Sequence, residues 1–185
     1  MIVPDVNLLV HAYNRDSPVH AAARRWWEGA LNATRPVGLA WAVILGFIRI
    51  TTHRQIMDNP LRVAAACASA RAWLAQPYVA ILHPGERHAE IVFGLLESLG
   101  AAGNLTTDAH LAALAIEHQA ELHSTDADFR RFAGLRWVDP LGRRPQILSG
   151  SSGNRPSSGS RSRSAVRDRS PREDRTPRSA RSGAR

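Results

Sequence analysis

The 185-residue chain contains no lysine; all 24 of its Lys and Arg residues are arginine. Receiver domains and aspartyl phosphatases gather acids at strand ends in an α/β fold, but they normally also place a lysine near the phosphoryl group, so its absence argues against that chemistry. Cysteine is almost as scarce. Cys67 stands alone, no intrachain disulfide can form, and a reducing, cytoplasmic setting is the expectation. No apolar run reaches the roughly eighteen residues that mark a membrane span. Nor does the N-terminus read as a signal peptide, because it has no basic lead and Pro4, Asp5 and Asn7 interrupt its apolar run.

Charge is unevenly spread. From Ser149 to Arg185 there are ten arginines against Asp168, Glu173 and Asp174, whereas residues 1–148 hold fourteen arginines against thirteen acids. The high isoelectric point therefore belongs to the last 37 residues. Ser, Arg, Gly and Pro dominate them, and one Val is their largest apolar side chain, too little buried surface to offset the entropy of ordering. The expectation is one folded domain over 1–148 and a disordered tail over 149–185.

Strand and helix signals alternate along the first part. Met1 to Asp5 reads as a short buried strand in which Pro4 is awkward unless it sits where no ladder donor is needed. Helices are expected over Asn7–Tyr13, from about Ser17 with Pro18 in the first turn to Leu31, from Pro60 to about Gln76, and from Glu86 to Leu99. Another is expected over the phrase DAHLAALAIEHQ, capped by Thr106 or Thr107. Val37–Ala40, Tyr78–Leu82, Glu121–Ser124 and Trp137–Asp139 read as strands. The apolar phrase from Trp41 to His53 fits a buried helix, although its Ile and Val content permits a strand and periodicity alone does not decide. The alternation argues a mainly parallel sheet with helices on both faces.

Acids fall at matching ends of these strands. Asp5 ends the first, Asp126 and Asp128 follow the one ending at Ser124, and Asp108 lies in the first turn of its helix. Ligands of open parallel sheets bind at the carboxyl ends of strands. Carboxylates converging there repel one another unless a cation neutralises them, and a hard divalent ion such as Mg²⁺ suits oxygen ligands. Each acid also has a plainer reading: Asp5 as a helix cap, Asp108 as a charge favoured in a first helical turn, Asp126 and Asp128 as a solvated turn. The histidines lack zinc spacing, since His110 and His118 are eight apart. Trp26, Trp27, Trp41, Trp73 and Trp137 read as core or interface, and Cys67 as packing.

Four phrases in order carry a resemblance: I-V-P-D-V-N-L-L-V, then L-G-F-I-R-I-T-T-H, then N-L-T-T-D-A-H-L-A-A-L-A-I-E-H, then L-H-S-T-D-A-D-F-R-R-F with L-R-W-V-D-P-L. Over about residues 1–142 the chain resembles the PIN-domain ribonucleases of VapC type, toxins of bacterial toxin–antitoxin pairs. The resemblance implies a three-layer α/β/α sandwich and an endoribonuclease that uses Mg²⁺, with Mn²⁺ as a substitute. It implies Asp5, Asp108 and Asp126 as metal-site carboxylates with Asp128 close by, and Ser124 or Thr125 orienting substrate or water. It further implies a cognate antitoxin that plugs the acidic site, and a homodimer or a toxin–antitoxin hetero-oligomer. Many members carry a Glu in the helix after the second strand. Here that position falls at or beside Gly46, and no acid lies between Arg35 and Met57, which leaves open whether one metal or two is held.

Single-stranded or loop RNA is the expected substrate, because splayed bases can be read individually. Arg15, Arg49 and Arg130 are the candidate phosphate contacts. The stretches around Trp26, Trp27 and Trp41 are candidate antitoxin contacts. Gly46 and the arginine-rich tail keep a second reading open, an RNA-binding regulator on a weakened PIN scaffold. The tail itself reads either as salt-sensitive affinity for RNA or as an extension without function, and the second is favoured because the resemblance stops before it.

Overall fold

The computed structural model describes residues 1–100, 102–103 and 105–142. The tail expected over 149–185 lies outside them. The described residues form strands β1 (Ile2–Pro4), β2 (Val37–Ala40), β3 (Val79–Leu82), β4 (Glu121–His123) and β5 (Arg136–Val138). Six α-helices accompany them: α1 (Val6–Tyr13), α2 (His20–Asn32), α3 (Trp41–Thr51), α4 (Val63–Leu74), α5 (His88–Leu99) and α6 (Leu105–Glu117). A 3₁₀ turn covers Ala127–Arg131.

The sheet runs β3-β2-β1-β4-β5, and every pairing in it is parallel. From β1 the chain steps outward to β2 and β3 through α1–α4, then returns through α5 and α6 to β4 on the other side of β1. Right-handed crossovers in opposite directions put these two helix sets on opposite faces. The packing agrees: α1 meets α2 and α3, α3 meets α4, and α5 meets α6. The expected three-layer α/β/α sandwich is what forms.

Strand order reverses between β1 and β4, so the crevice at their carboxyl ends is the topological switch point. Pro4 shows how β1 manages to be central. The Ile2 N–H faces β2 and donates to Pro36 O, while the Asp5 N–H faces β4 and donates to His123 O. Alternation turns the donor that Pro4 lacks toward β2, where the register is confined to Ile2 opposite Val37. On the β4 side the ladder runs on through Pro4 opposite His123.

Gly38 is the small residue that lets β2 and β3 close. A Cβ there would meet Leu82 side-chain carbons at 2.6 Å. The ambiguous stretch from Trp41 is helix α3, but only one face is buried, through Val43, Ile44, Phe47 and Thr51. Trp41 and Leu45 face solvent at 48% and 58% exposure, so the expectation of burial all round is corrected. Two helix starts also move inward. Helix α2 begins at His20, after a turn in which the His20 N–H donates to Ser17 O. Helix α4 begins at Val63, because the Leu61 N–H is committed to Thr51 O. Thr106 and Thr107 lie inside the first turn of α6 and do not cap it.

Candidate active site

Three helices and the 3₁₀ turn begin at one end of the sheet. Helix α1 follows β1, α3 follows β2 without an intervening residue, the turn follows β4, and α6 runs antiparallel into β4 so that its first turn returns to the same end. Asp5, Asp108, Asp126 and Asp128 are carried there. Asp5 and Asp126 are far apart in sequence, and the parallel β1–β4 pairing sets the strands that precede them side by side.

Ser124, fully buried, is the junction of the site. Its hydroxyl donates to Asp5 Oδ2 at 2.8 Å and accepts from Asn7 Nδ2 and from the Asp126 N–H, both at 2.9 Å. Asp5 Oδ1 accepts the Val6 N–H at 2.6 Å, so the residue does cap α1, but with only one of its two oxygens. Asp126 Oδ1 accepts the Asp128 N–H at 2.8 Å and caps the 3₁₀ turn. The plain capping roles are thus real for Asp5 and Asp126, and they leave carboxylate oxygens over. Burial grades from Asp5, buried, through Asp108, half-buried, to Asp126 and Asp128, exposed, as on the floor and rim of a cleft.

Electrostatics ties the four together. Burial lifts the Asp108 carboxyl to about 6, and the charges of Asp5, Asp126 and Asp128 add to the rise. Asp5 is raised as well, first by burial and further by Asp126, while its bonds from Ser124 and Val6 pull the other way. Among the described residues no ion pair reaches Asp5, Asp108 or Asp126, and Arg131 approaches Asp128 only to 3.9 Å at an exposed position.

The donor set suits a hard cation. It consists of carboxylate oxygens plus the buried Asn7 Oδ1, which has no hydrogen-bond partner. Among the described residues no three His, Cys, Asp or Glu side chains already converge to ligand distance. Mg²⁺ takes one or two carboxylates and fills its other positions with water. These residues therefore fit a hydrated divalent ion better than a closed protein cage.

The other candidates divide. Arg130 starts beside the acids, with its guanidinium 4.5 Å from the centre of the Trp137 ring. Arg15 instead lines a separate cavity of about 300 Å³ with Tyr13, His20, Arg24, Trp27 and Trp73. Arg49 sits in the last turn of α3, about 12 Å along the axis from the helix start. Trp27 is 2% exposed, and Trp26 is half-buried and stacked on His123. His110 bonds His88 at 2.9 Å, and among the described residues no third ligand completes a zinc-type set around the pair. Asn7 is the residue that sequence reasoning passed over. Its signal was a lone amide two positions after Asp5 in an otherwise apolar helix start.

Gly46, at the position where relatives were expected to carry an acid, is filled from the other side. A Cβ there would lie 3.1 Å from Val6 Cγ2, so the bare backbone of α3 receives the side chain next to Asp5.

The PIN domain family matches residues 2–135. The chain belongs to it. Among PIN-domain proteins it is 48% identical to Ribonuclease VapC33 of Mycobacterium tuberculosis over 141 residues, which are 76% of this chain and 99% of that relative. Identity to Ribonuclease VapC37 of the same organism is 42% over 140 residues, 76% of this chain and 97% of the other. This PIN domain is therefore of the VapC type. Its fold also matches that of VapC20 of Mycobacterium tuberculosis, described as a sarcin-ricin-loop-cleaving toxin, with TM-score 0.55 at 19% identity, covering 74% of this chain and 99% of that one. VapBC2 of Rickettsia felis, solved with a promoter DNA fragment, gives TM-score 0.55 at 16% identity over 75% of this chain and 98% of that one. At these identities the structural likeness speaks for the fold alone. Among the described residues no helix is long and apolar enough to cross a membrane.

Proposed function

We propose that the chain is a metal-dependent endoribonuclease, the toxin of a toxin–antitoxin pair, cutting single-stranded or loop RNA at the crevice between β1 and β4. The observation that carries the reading is the arrival of Asp5, Asp108, Asp126 and Asp128 at the carboxyl end of β1 and β4 from three separate segments, with no ion pair to Asp5, Asp108 or Asp126 among the described residues. A fold whose stability alone were selected would pair or remove such charges. The ribonuclease names of relatives up to 48% identical support the same activity.

In this reading Asp5, Asp108 and Asp126 hold Mg²⁺, with Mn²⁺ as a substitute, and Asp128 binds through water or assists a second ion. The bound ion supplies activation of a water and neutralises charge on the scissile phosphate. The chain's own part is positional. Ser124 fixes Asp5 Oδ2, Asn7 fixes Ser124, and the Asp126 backbone is tied to the same hydroxyl. Arg130, two residues after Asp128, is our candidate for a backbone-phosphate contact. An antitoxin segment that ends the activity would set an arginine among these carboxylates. Residues 1–148 form the nuclease unit, and 149–185 are a dispensable extension.

Incubation of the purified chain with single-stranded RNA in Mg²⁺ should shorten the RNA, and EDTA should stop it. Asp5→Asn should abolish cleavage and still cap α1, since Asn caps as well as Asp. RNA retarded in a gel but never shortened would mark a binding regulator instead, the reading that the glycine at position 46 favours.

A further inference from the structure

We infer that Trp41 is the residue on which an unpaired RNA base stacks beside the acids, an inference that rests on the ribonuclease reading and adds a specificity-determining side chain to it. Ile2 lies opposite Val37 on the parallel neighbour β2. Asp5 comes just past the end of β1 and Ala40 is the last residue of β2, so both stand at the carboxyl ends of neighbouring strands. Trp41 is the next residue, and α3 starts on it directly. The backbone of Trp41 is thus set by the sheet at the carboxyl end near which Asp5 stands, with no loop between β2 and α3.

Its burial is wrong for a core residue. Trp27 and Trp73 are each 2% exposed, whereas Trp41 is 48% exposed at the start of a helix whose other face is packed into the core. The start of α3 is also bare: Ala40 offers no side-chain cap, and no acid occupies the first turn. First-turn N–H groups left without partners favour negative charge. An aromatic face beside uncapped N–H groups and next to a carboxylate cluster suits a nucleotide, whose base stacks while its phosphate turns toward the helix start and the acids' cation. Stacking of this kind accepts any base and needs the base unpaired, which gives a structural reason for preferring single strands or loops.

Leu45 supplies the control. It lies one helical turn from Trp41 on the same open stripe and is 58% exposed, but it is displaced by about 6 Å along the axis, away from the acids. A protein docked on this stripe would use both side chains and would tolerate any large apolar residue at position 41. A stacked base needs a ring there and ignores Leu45.

The test is steady-state cleavage, in Mg²⁺, of a single-stranded oligoribonucleotide by the full chain and by Trp41→Leu, Trp41→Phe and Leu45→Ala, each checked for an unchanged melting curve. Trp41→Leu should raise KM about tenfold with kcat nearly unchanged, and Trp41→Phe should stay within about threefold of wild type. Leu45→Ala should cut like wild type. The same oligonucleotide with one abasic nucleotide, moved along it, should show one position that raises the wild-type KM about tenfold and leaves the Trp41→Leu value unmoved. Wild-type KM in Trp41→Leu overturns the inference while cleavage itself, abolished by Asp5→Asn, stands. Equal losses in Trp41→Leu and Leu45→Ala, with a change in sedimentation, make the stripe a protein contact and overturn it too. A wild-type chain that cuts no RNA removes both this inference and the reading beneath it.

Discussion

Asp5 holds two bonds with two oxygens, one to the helix that follows it and one to Ser124, 119 positions away. Removing the Ser124 hydroxyl leaves Asp5 Oδ2, Asn7 Nδ2 and the Asp126 N–H without that partner. Ser124→Ala should therefore destabilise the chain by about 1–3 kcal/mol, the cost of leaving buried polar groups unpaired. Urea unfolding measures it, and a change below half a kilocalorie would contradict the junction. Asp108 makes the opposite prediction. Its carboxyl titrates near 6 in the folded chain and near about 3.9 when unfolded. Between those values the folded state holds a proton that the unfolded state has released, so metal-free stability falls as pH rises through about 4 to 6 and then levels. Asp108→Asn lacks that loss. It should melt above wild type at pH 7 to 8 in EDTA, with the difference closing near pH 4. A variant that melts lower at pH 8 would mean that a cationic or hydrogen-bonding partner stabilises the Asp108 carboxylate in the folded chain.

Helices α1 and α3 meet where Val6 lies over Gly46. Alanine at position 46 should gain about 1 kcal/mol of helix propensity, but its methyl would press on Val6, whose β-branched side chain has little rotamer freedom in a helix. Gly46→Ala alone should thus change stability little, and in a Val6→Ala background it should stabilise by about 1 kcal/mol. A double-mutant cycle by denaturant unfolding reads the coupling, and additive effects would dismiss the contact. The same contact marks the limit of what the sequence could tell. Alternating strands and helices were legible because burial imposes periodicity, and the acid positions were legible because strand ends are. The start of α2 was not, since Pro18 looks like a first-turn residue until Ser17 O captures the His20 N–H. The exposure of Trp41 was hidden because an apolar run does not say which of its faces lacks a neighbour. Arg15 and Arg49 looked as apt as Arg130 because distance from the acids is a property of the fold, not of composition.

At the scale of the whole molecule, the proposed metal site predicts a link between ion binding and stability. An ion that binds only the assembled carboxylates stabilises by mass action, about 2.7 kcal/mol at a hundredfold excess over its dissociation constant. Mg²⁺ should therefore raise the melting temperature of wild type and leave Asp5→Asn nearly unmoved, as scanning calorimetry would show. Equal shifts in both proteins would mean that the ion binds elsewhere. Truncation after Leu148 should alter neither the melting temperature nor cleavage across a range of salt concentrations. A flatter salt dependence in the truncated protein would show that the extension touches RNA.

The β1–β4 pairing also carries a consequence for how such a chain is made. Asp5 leaves the ribosome early, but β4 and the turn behind it are among the last described segments to be synthesised. A nascent chain that has already built the sheet from β1 to β3 still lacks Ser124 and Asp126, and so has half a crevice. On the proposed reading no RNA is cut until β4 pairs with β1 and completes the crevice, and the time taken to synthesise the later segments is an interval in which an antitoxin could reach the chain first.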